Sequence, residues 1–429
     1  MSKSIDRRQF LGQTTASGAA VGLTMTGAGA LAARSASQTV VVGVMGMSRG
    51  RSLALTFAKQ PGVEVKYVCD VDAARAARAV DSVAAVRGKK PQAIADFRRI
   101  LDDTDIDALV CAAPNHWHGP ATILGCSAGK NVYVEKPCCH NPREGELMIE
   151  AARKYKRAVQ MGTQRRSAPG TVEAMQLLHG GAIGRLSLAR AWYNSARGSI
   201  GTGKPDSVPD NLDYELWQGP APRRSYMDNR VHYNWHWFWH WGNGELGNNG
   251  VHSLDLCRWG MQVDFPSRVT SSGGRYRFQD DQQTPDTHAV CFEFEGRKQI
   301  TWEGLSCHRH SSGFVTFYGE NGALELMSNG SYRIYDSRDK LVKQGSGSTV
   351  GDNEHVDNFL SAIRNDKPLS LNAEIEKGHK STLLCHLGNI AQRTGRTLNC
   401  DPQNGYILDD KQAMHLWGRE YEKGWEPQV

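Results

Sequence analysis

The residues best suited to chemistry are an acid, a lysine and a proline at positions 135–137, directly after a short apolar stretch at 131–134. The stretch is typical of a β-strand, and Asn141 offers a cap for a helix that follows. Lys136 therefore lies at the carboxyl end of a strand, where open α/β sheets bind ligands. A lysine in that place must be desolvated or paired, and a surface ion pair of Glu135 is the structural alternative.

A stretch rich in tryptophan and histidine at 233–244 is a second candidate. The flat faces and hydrogen-bonding rims of these side chains suit a carbohydrate, while an aromatic core or a dimer contact is the alternative for the tryptophans. On a predicted helix at 250–259, His252 and Asp255 stand three residues apart and share a face. The substrate-binding candidates of this region are Tyr233, Trp235, His236, Trp239, Asn248 and His252.

The elements that must position these residues begin with a glycine turn. Residues 39–44 are a continuous apolar run, as expected for a strand buried on both faces, and residues 52–59 have a helical pattern. The turn between them consists of Gly46, Met47, Ser48, Arg49 and Gly50. Free N–H groups and the helix dipole favour a pyrophosphate there.

A second predicted strand, at 63–69, ends at Asp70. A carboxylate in this place takes the ribose hydroxyls of a dinucleotide and repels a 2′-phosphate. The order of strand, turn, helix, strand and acid predicts NAD rather than NADP, and an ordinary βαβ unit is the alternative.

The alternation of strands and helices continues to residue 166. We predict helices at 93–101 and 121–128, strands at 108–112 and 158–161, and a loop at 114–118. Because these loops leave the carboxyl ends of strands, their polar side chains can line one cleft. The additional cofactor contacts predicted there are Asn115, His118, Glu135, Lys136 and Gln164, and Arg165 is a predicted substrate contact.

Metal binding is a further interpretation of three segments that contain histidine. His116 and His118 have no third ligand nearby, and His236 and His240 have the spacing of helical ligands where no helix is clear. The Cys-His-Arg-His segment at 307–310 gives similarly weak support for a metal site. We predict no metal site.

From about residue 183 the hydrophobic period changes to two, which is typical of strands. Predicted strands lie at 186–193, 268–276, 287–294, 299–303, 313–318, 323–327 and 331–335. Asn-Gly pairs at 321–322 and 329–330 indicate hairpin turns. The predicted fold class is α/β, an N-terminal doubly wound parallel sheet of Rossmann type plus a C-terminal α+β domain with an open, mostly antiparallel sheet.

The N-terminus has the features of a targeting signal. A twin-arginine pattern at 6–12 precedes an uncharged run rich in glycine, alanine and threonine at 13–33. We predict export in the folded state to the periplasm through the twin-arginine translocase, with a disordered basic N-terminus as the alternative. The run is too weakly apolar for a stable membrane insertion.

Length and charge limit the function classes. About 390 residues beyond the signal are too many for one ordinary core. We predict a signal peptide at 1–35, an NAD-binding domain at 36–165 and a substrate and oligomerisation domain at 166–429, whose C-terminal helices can pack back on the NAD-binding domain. The first 35 residues carry three of the six net positive charges, so nothing favours nucleic acid or anionic membranes as partners.

The ten cysteines include no Cys-x-x-Cys pair. Four of them, Cys69, Cys111, Cys291 and Cys385, lie inside apolar runs and are expected to be buried thiols, kept reduced when folding precedes export. The open sheet of the second domain favours a homo-oligomer.

The Glu-Lys-Pro run, after a glycine-turn strand and before a helix, resembles the signature of the Gfo/Idh/MocA oxidoreductase family. Further matches are Pro114-Asn115 with His118, Gly129-Lys130-Asn131-Val132, and the pattern Gly250-x-His252-x-x-Asp255. Residues 214–222 and the stretch rich in tryptophan and histidine at 233–244, called the Trp/His run below, resemble the exported branch of this family. Members of that branch carry a twin-arginine signal and are similar to glucose–fructose oxidoreductase.

The resemblance implies a bound NAD(P) and a sugar or cyclitol substrate. It places the family's catalytic lysine at Lys136 and its histidine at His252, with Asp255 or a backbone group holding His252. The family's aspartate, four residues before that histidine, is Asn248 here, which cannot take a proton.

Two kinds of enzyme, and one binding protein, agree with these residues. In the first, Lys136 or His252 takes the hydroxyl proton of a sugar as a hydride passes to NAD⁺. The second is an NAD-dependent glycosidase that oxidises the sugar, eliminates the glycosidic bond and returns the hydride. The third is a sugar-binding module without chemistry.

Overall fold

The structure is a computed structural model, and it describes residues 39–310, 313–347 and 349–429. The predicted signal peptide lies outside the described residues. Within them, every helix is too short or too polar to cross a membrane.

The N-terminal half contains a six-stranded parallel sheet. Its strands are β1 (Val40–Met45), β2 (Val63–Cys69), β3 (Gln92–Ile94), β4 (Ala108–Cys111), β5 (Asn131–Val134) and β6 (Val159–Met161). The helices between them are α1 (Arg49–Lys59), α2 (Ala73–Arg87), α3 (Arg98–Asp102), α4 (Asn115–Ser127) and α5 (Pro142–Lys154). The strand order β3-β2-β1-β4-β5-β6 reverses between β1 and β4. This reversal opens a crevice at the carboxyl ends of the strands, as in doubly wound folds.

Two sequence predictions in this half are wrong. Residues 93–101, predicted as one helix, form β3 and the short helix α3, because the segment pairs with the edge of β2 before it turns. Residues 114–118, predicted as a loop, are the start of α4. Pro120 lacks the N–H that would bond to the carbonyl of His116, and Arg419 donates to that oxygen instead at 2.6 Å. The helix therefore depends on a residue that a local pattern cannot identify.

The C-terminal half is built on a second sheet of ten strands, and it confirms the mostly antiparallel prediction. The strands are β7 (Leu186–Ala196), β8 (Arg268–Gly274), β9 (Thr287–Phe294), β10 (Lys298–Leu305), β11 (Cys307–His308), β12 (Val315–Gly319), β13 (Gly322–Leu326), β14 (Tyr332–Asp336), β15 (Leu341–Gly345) and β16 (Leu398–Asn399). Their order is β15-β14-β13-β12-β7-β10-β9-β8-β16, and β11 pairs with β7. Among these pairs, β7 and β10 run parallel and the others antiparallel.

The helices of this half are α6 (Pro169–His179), α7 (Tyr214–Gln218), α8 (Val251–Met261), α9 (Asp352–Arg364), α10 (Ile375–Thr394) and α11 (Lys411–Met414). Single 3₁₀ turns lie at Gln164–Ser167, Asn234–Trp237 and His415–Trp417, and a π-helical turn at Leu246–Gly250 leads into α8. Helices α8 and α10 pack on the second sheet. Trp302 and Phe317 of the sheet are fully buried beneath this layer.

Helix α9 returns to the N-terminal half. Its Phe359 lies edge-on to Phe57 of α1 and to Tyr133 of β5, with ring centroids 6.2 and 5.8 Å apart. All three belong to one apolar cluster with β1 and β2. The core of the N-terminal half, called the nucleotide half below, is thus completed by a helix from the C-terminal part of the chain.

Candidate functional site

A cleft of about 310 Å³ lies at the carboxyl ends of β1, β2, β4 and β5, where the strand order reverses. Most of the predicted site residues line it. They are Gly46, Met47, Ser48, Arg49, Asp70, Asn115, His118, Glu135, Lys136, Gln164, Tyr233, Trp235, His236, Asn248 and His252. The cleft therefore joins residues from the beginning of the chain with the Trp/His run and α8.

The glycine turn at one end of the cleft is shaped for a phosphate group. Gly46 has φ +88°, and a Cβ there would lie 2.5 Å from the carbonyl oxygen of Ala112. Helix α1 begins at Arg49, and no side chain caps it. Its first N–H groups and its dipole are thus free to meet an anion. Gly50 is buried rather than exposed in the cleft, and it lets α1 approach β1, because a Cβ would lie 3.3 Å from Val44.

Asp70 stands at the end of β2 on the wall of the same cleft. One carboxylate oxygen accepts a hydrogen bond from the Met47 N–H at 2.6 Å, and the other accepts one from the Asp72 N–H at 2.9 Å. Burial raises the pKa of Asp70 in spite of these two bonds. The carboxylate is therefore held firmly beside the glycine turn.

Glu135 and Lys136 have different partners. Glu135 accepts from the Arg49 Nε at 3.1 Å, and Arg49 also pairs with Asp352 of α9. The Lys136 Nζ donates to the carbonyl oxygen of Asn248 at 2.9 Å and to its Oδ1 at 3.2 Å. Burial lowers the pKa of the Lys136 amine. A lysine with a lowered pKa, held by neutral oxygens, gives up its proton more readily than an exposed lysine does.

His252 lines the same cleft. Its Nδ1 is buried and has no hydrogen-bond partner among the described residues. Burial, followed by the charges of Arg165 and Lys136, lowers the pKa of His252 well below its usual value. The imidazole is therefore neutral at physiological pH and can accept a proton from a bound hydroxyl.

The sequence predicted that Asp255 or a backbone group holds His252, but Asp255 contacts other residues. Its carboxylate accepts from the Arg166 Nε at 2.8 Å and from the Ser381 Oγ at 2.6 Å, and it is buried away from the cleft. A buried carboxylate needs a cation, and Arg166 supplies it. The spacing of three residues on α8 placed the two side chains on one side of the helix, but the packing gave Asp255 a different partner.

The Trp/His run divides between the cleft and the interior. Tyr233, Trp235 and His236 line the cleft, and the rings of Trp235 and His236 stack with centroids 3.6 Å apart. Trp237 and Trp241 are buried. The interpretation as an aromatic core is thus correct for Trp237 and Trp241, while contact with a carbohydrate stays a prediction for the residues that line the cleft.

Two further predicted contacts lie outside the lining of the cleft. Arg165 stacks its guanidinium over the Phe314 ring at 4.8 Å, and Trp239 lines a second cavity. The cleft also contains residues that were not predicted, including Trp217 and His232. Trp217 falls in the segment noted for its resemblance to the exported branch, so that segment carried a usable signal.

The histidine pairs considered as metal ligands have other contacts. His118 contacts the carbonyl oxygens of Ala113 and Pro137, and His116 contacts that of Trp217. Among the described residues there is no group of three or more histidine, cysteine or acidic side chains that could hold a metal ion.

The N-terminal half is a doubly wound sheet, and helix α8 of the C-terminal half brings a histidine into the same cleft as a lysine. This arrangement is typical of two-domain nicotinamide-dependent oxidoreductases. Comparison with known families agrees. Residues 37–163 match the NAD-binding Rossmann fold of the Gfo/Idh/MocA oxidoreductase family, and residues 191–426 match its C-terminal α/β domain. The chain belongs to this family. The match confirms the prediction of NAD as cofactor.

Individual relatives match this chain over only part of its length and at low sequence identity. An inositol 2-dehydrogenase of Salmonella typhimurium is 30% identical over 41% of this chain and 51% of its own length. The match thus spans about half of that curated relative. An α-N-acetylgalactosaminidase of Shewanella oneidensis is 27% identical over 36% of this chain and 35% of its own.

Solved structures of low sequence identity share the fold. A levoglucosan dehydrogenase in complex with NADH and levoglucosan has a TM-score of 0.68 at 17% identity, covering 87% of this chain and all of that one. An aldose–aldose oxidoreductase from Caulobacter crescentus has a TM-score of 0.63 at 18% identity, covering 84% of this chain and all of that one.

Proposed function

We propose that this protein is an NAD-dependent oxidoreductase that acts on a C–H(OH) group of a sugar or sugar derivative. The observation that carries the proposal is the convergence of Lys136 and His252, both with lowered pKa values, beside the aromatic side chains of one cleft. Tyr233 and Trp235 offer flat faces for a sugar ring. Relatives that act on inositol and levoglucosan support the substrate class.

The residues present fit NAD. The cradle at Gly46 excludes a Cβ, the first turn of α1 is uncapped, and the Asp70 carboxylate stands where ribose hydroxyls are bound. When bound, NAD supplies the hydride acceptor. The protein's own part is then to orient the sugar hydroxyl and to take its proton on Lys136 or His252, while Asn248 holds the lysine amine in place.

Asp70 is expected to set the choice between NAD and NADP. Asp70→Ser removes a charge that repels a 2′-phosphate, together with hydrogen bonds to the ribose. Because a hydrogen bond to a charged group is worth about 1.5–3 kcal/mol, NAD⁺ affinity should fall about tenfold or more, while NADP⁺ binding improves relative to it. Calorimetric titration of both nucleotides measures the two changes.

Asp81→Ser is the matched control, because Asp81 is exposed on α2. It should leave both affinities unchanged. Tighter binding of NADP⁺ than of NAD⁺ by the unaltered protein would contradict the role given to Asp70.

A second candidate function is hydrolysis of a glycoside through transient oxidation. The similarity to an α-N-acetylgalactosaminidase supports this second function. The same two groups would serve, since one takes the hydroxyl proton and the other can take the acidified C–H proton. A panel of free sugars and aryl glycosides, followed by cofactor absorbance and by release of the aryl group, separates the two reactions. A protein that changes neither would be a binding module.

We also propose that the protein is exported in the folded state and keeps its NAD bound through catalysis. The twin-arginine pattern at 6–12 supports export, and no soluble nicotinamide pool is expected outside the cytoplasm. A released NADH could not be recharged there. The reaction would then be redox-neutral overall, with the hydride returned to the same sugar or given to another. Self-association through the open sheet remains a prediction.

Mature protein purified without added cofactor should release nicotinamide nucleotide when it is denatured. The nucleotide and the protein should be present in about equal amounts, because a cofactor that must survive transport cannot dissociate readily. Lysine substitutions at Arg7 and Arg8 are the control, since they should keep the protein, with the same nucleotide content, inside the cell. Loss of nucleotide on simple dialysis, together with activity that needs stoichiometric NAD⁺, would contradict the proposal.

A further inference from the structure

A second cavity, of about 620 Å³, lies next to the cleft and has no part in the proposed chemistry. The start of α5, the end of the Trp/His run, α10 and the segment at 415–420 contribute to its wall. It touches the cleft through one buried hydrogen bond, in which the Asn115 Nδ2 donates to the Asn243 Oδ1 at 2.9 Å. Asn243 in turn donates to the carbonyl oxygen of His140.

The wall of this cavity is strongly basic. It contains four arginines and a single acid, Glu420. Arg223 pairs with Glu215, and Arg419 pairs with Glu144. The other two, Arg224 and Arg393, have no acidic partner within 4 Å among the described residues, and their guanidinium groups lie over tryptophan rings.

Uncompensated polar groups line the same cavity as these two arginines. His140 is only 9% exposed, and neither of its ring nitrogens has a hydrogen-bond partner among the described residues. The Nδ2 of Asn141 is likewise buried without a partner. Asn141 is also the N-cap of α5, a helix of 13 residues whose dipole favours negative charge at this end. A buried polar group without a partner costs free energy, so these groups indicate a ligand.

We propose that the second cavity binds a small sugar acid, with its carboxylate between Arg224 and Arg393 and its hydroxyl groups on the amide and imidazole side chains of the wall. Two unpaired guanidinium groups select a carboxylate, which they bind with charge-assisted hydrogen bonds. The asparagine and histidine side chains offer both donors and acceptors, as a polyhydroxylated ring requires. The indole of Trp239 supplies an apolar surface on the same wall.

Titration calorimetry of the full chain with D-glucuronate tests this site, and D-glucose is the neutral match. Glucuronate should give a saturable binding heat that depends on Arg224 and Arg393, whereas any heat from glucose should be the same in the unaltered protein and in the variant that lacks both arginines. The double variant Arg224→Gln, Arg393→Gln should bind glucuronate about 100-fold more weakly, because it loses the charge-assisted hydrogen bonds of both guanidinium groups. Arg338→Gln, on an exposed turn, is the matched control and should bind as tightly as the unaltered protein.

Two further arms assign the site. Lys136→Met alters the cleft and should keep glucuronate binding, whereas loss of binding there with retention in the double arginine variant would place the ligand in the cleft and overturn the proposal. Acetate or inorganic phosphate binding as tightly as glucuronate would show that the sugar ring is not recognised. Equal binding of glucuronate by the double variant and the unaltered protein would overturn the role of the arginines.

Discussion

Replacement of Lys136 by alanine should lower turnover about 100-fold or more, as is typical for loss of a general base. The Nζ is held by two oxygens of Asn248, and burial lowers its pKa, so the amine is prepared to exchange a proton with a hydroxyl. Steady-state rates on a substrate from the sugar panel, with cofactor content and thermal unfolding as checks of the fold, measure the effect.

Lys136→Arg separates proton transfer from a purely ionic role. An arginine keeps the positive charge, but its guanidinium stays protonated at any physiological pH, so it cannot act as a base. If turnover is lost in the arginine variant as well, the lysine acts by exchanging a proton. Near-native turnover of the arginine variant would instead mean that the charge alone is needed. Asn248→Ala should cost less than Lys136→Ala, because Asn248 orients the amine without ionising.

The protein should lose stability steeply as the pH falls from about 6.5 towards 4. Burial lowers the pKa of several histidines, which reach about 4 at His288, His355 and His379 and about 3 at His386. In the unfolded chain these groups bind protons below their usual pKa of about 6.5, while in the folded chain they stay neutral. The free energy of unfolding therefore has its full value above pH 6.5. Below that pH, each of these histidines lowers it by up to about 1.4 kcal/mol per pH unit.

Urea unfolding at a series of pH values measures this slope. His355→Gln should reduce the dependence of the unfolding free energy on pH by up to about 1.4 kcal/mol per pH unit, the contribution of one proton. The buried imidazole contacts the Ser167 Oγ and the Met161 carbonyl oxygen, and it takes up this proton only on unfolding. The exposed His179 is the matched control, and His179→Gln should leave the slope unchanged. A stability that is constant between pH 7 and pH 5 would contradict the assignment of neutral buried histidines.

The sequence was sufficient to predict the doubly wound parallel sheet and the cleft at its edge, because both depend on local patterns with long-range consequences. Continuous apolar runs mark strands covered on both faces, and the carboxyl ends of parallel strands must meet at one edge. The NAD site was predictable for the same reason. Lys136 and Asn248 are 112 residues apart, and both were predicted as site residues, the first from its place at a strand end and the second from the family resemblance. Their hydrogen bond itself was not predicted.

The partners of single buried groups were not predictable. Asp255 binds Arg166 and Ser381, which lie 89 and 126 residues away in the sequence, and no periodicity encodes that choice. Strand β15 lies at the edge of the sheet and is exposed along almost its whole length, so no alternation of buried and exposed residues marks it as a strand. Edge strands of this kind are short or charged for the same physical reason.

The return of α9 to the nucleotide half has a consequence during protein synthesis. Arg49, beside the glycine turn, pairs with Asp352, which follows it by 303 residues. At a rate of about 5–20 residues per second, roughly 15–60 s pass on the ribosome between these two residues. Over that interval the apolar face of α1 that Phe359 later covers is open to water or to chaperones. We therefore expect the nucleotide half to close, and NAD to bind firmly, only after α9 has been synthesised.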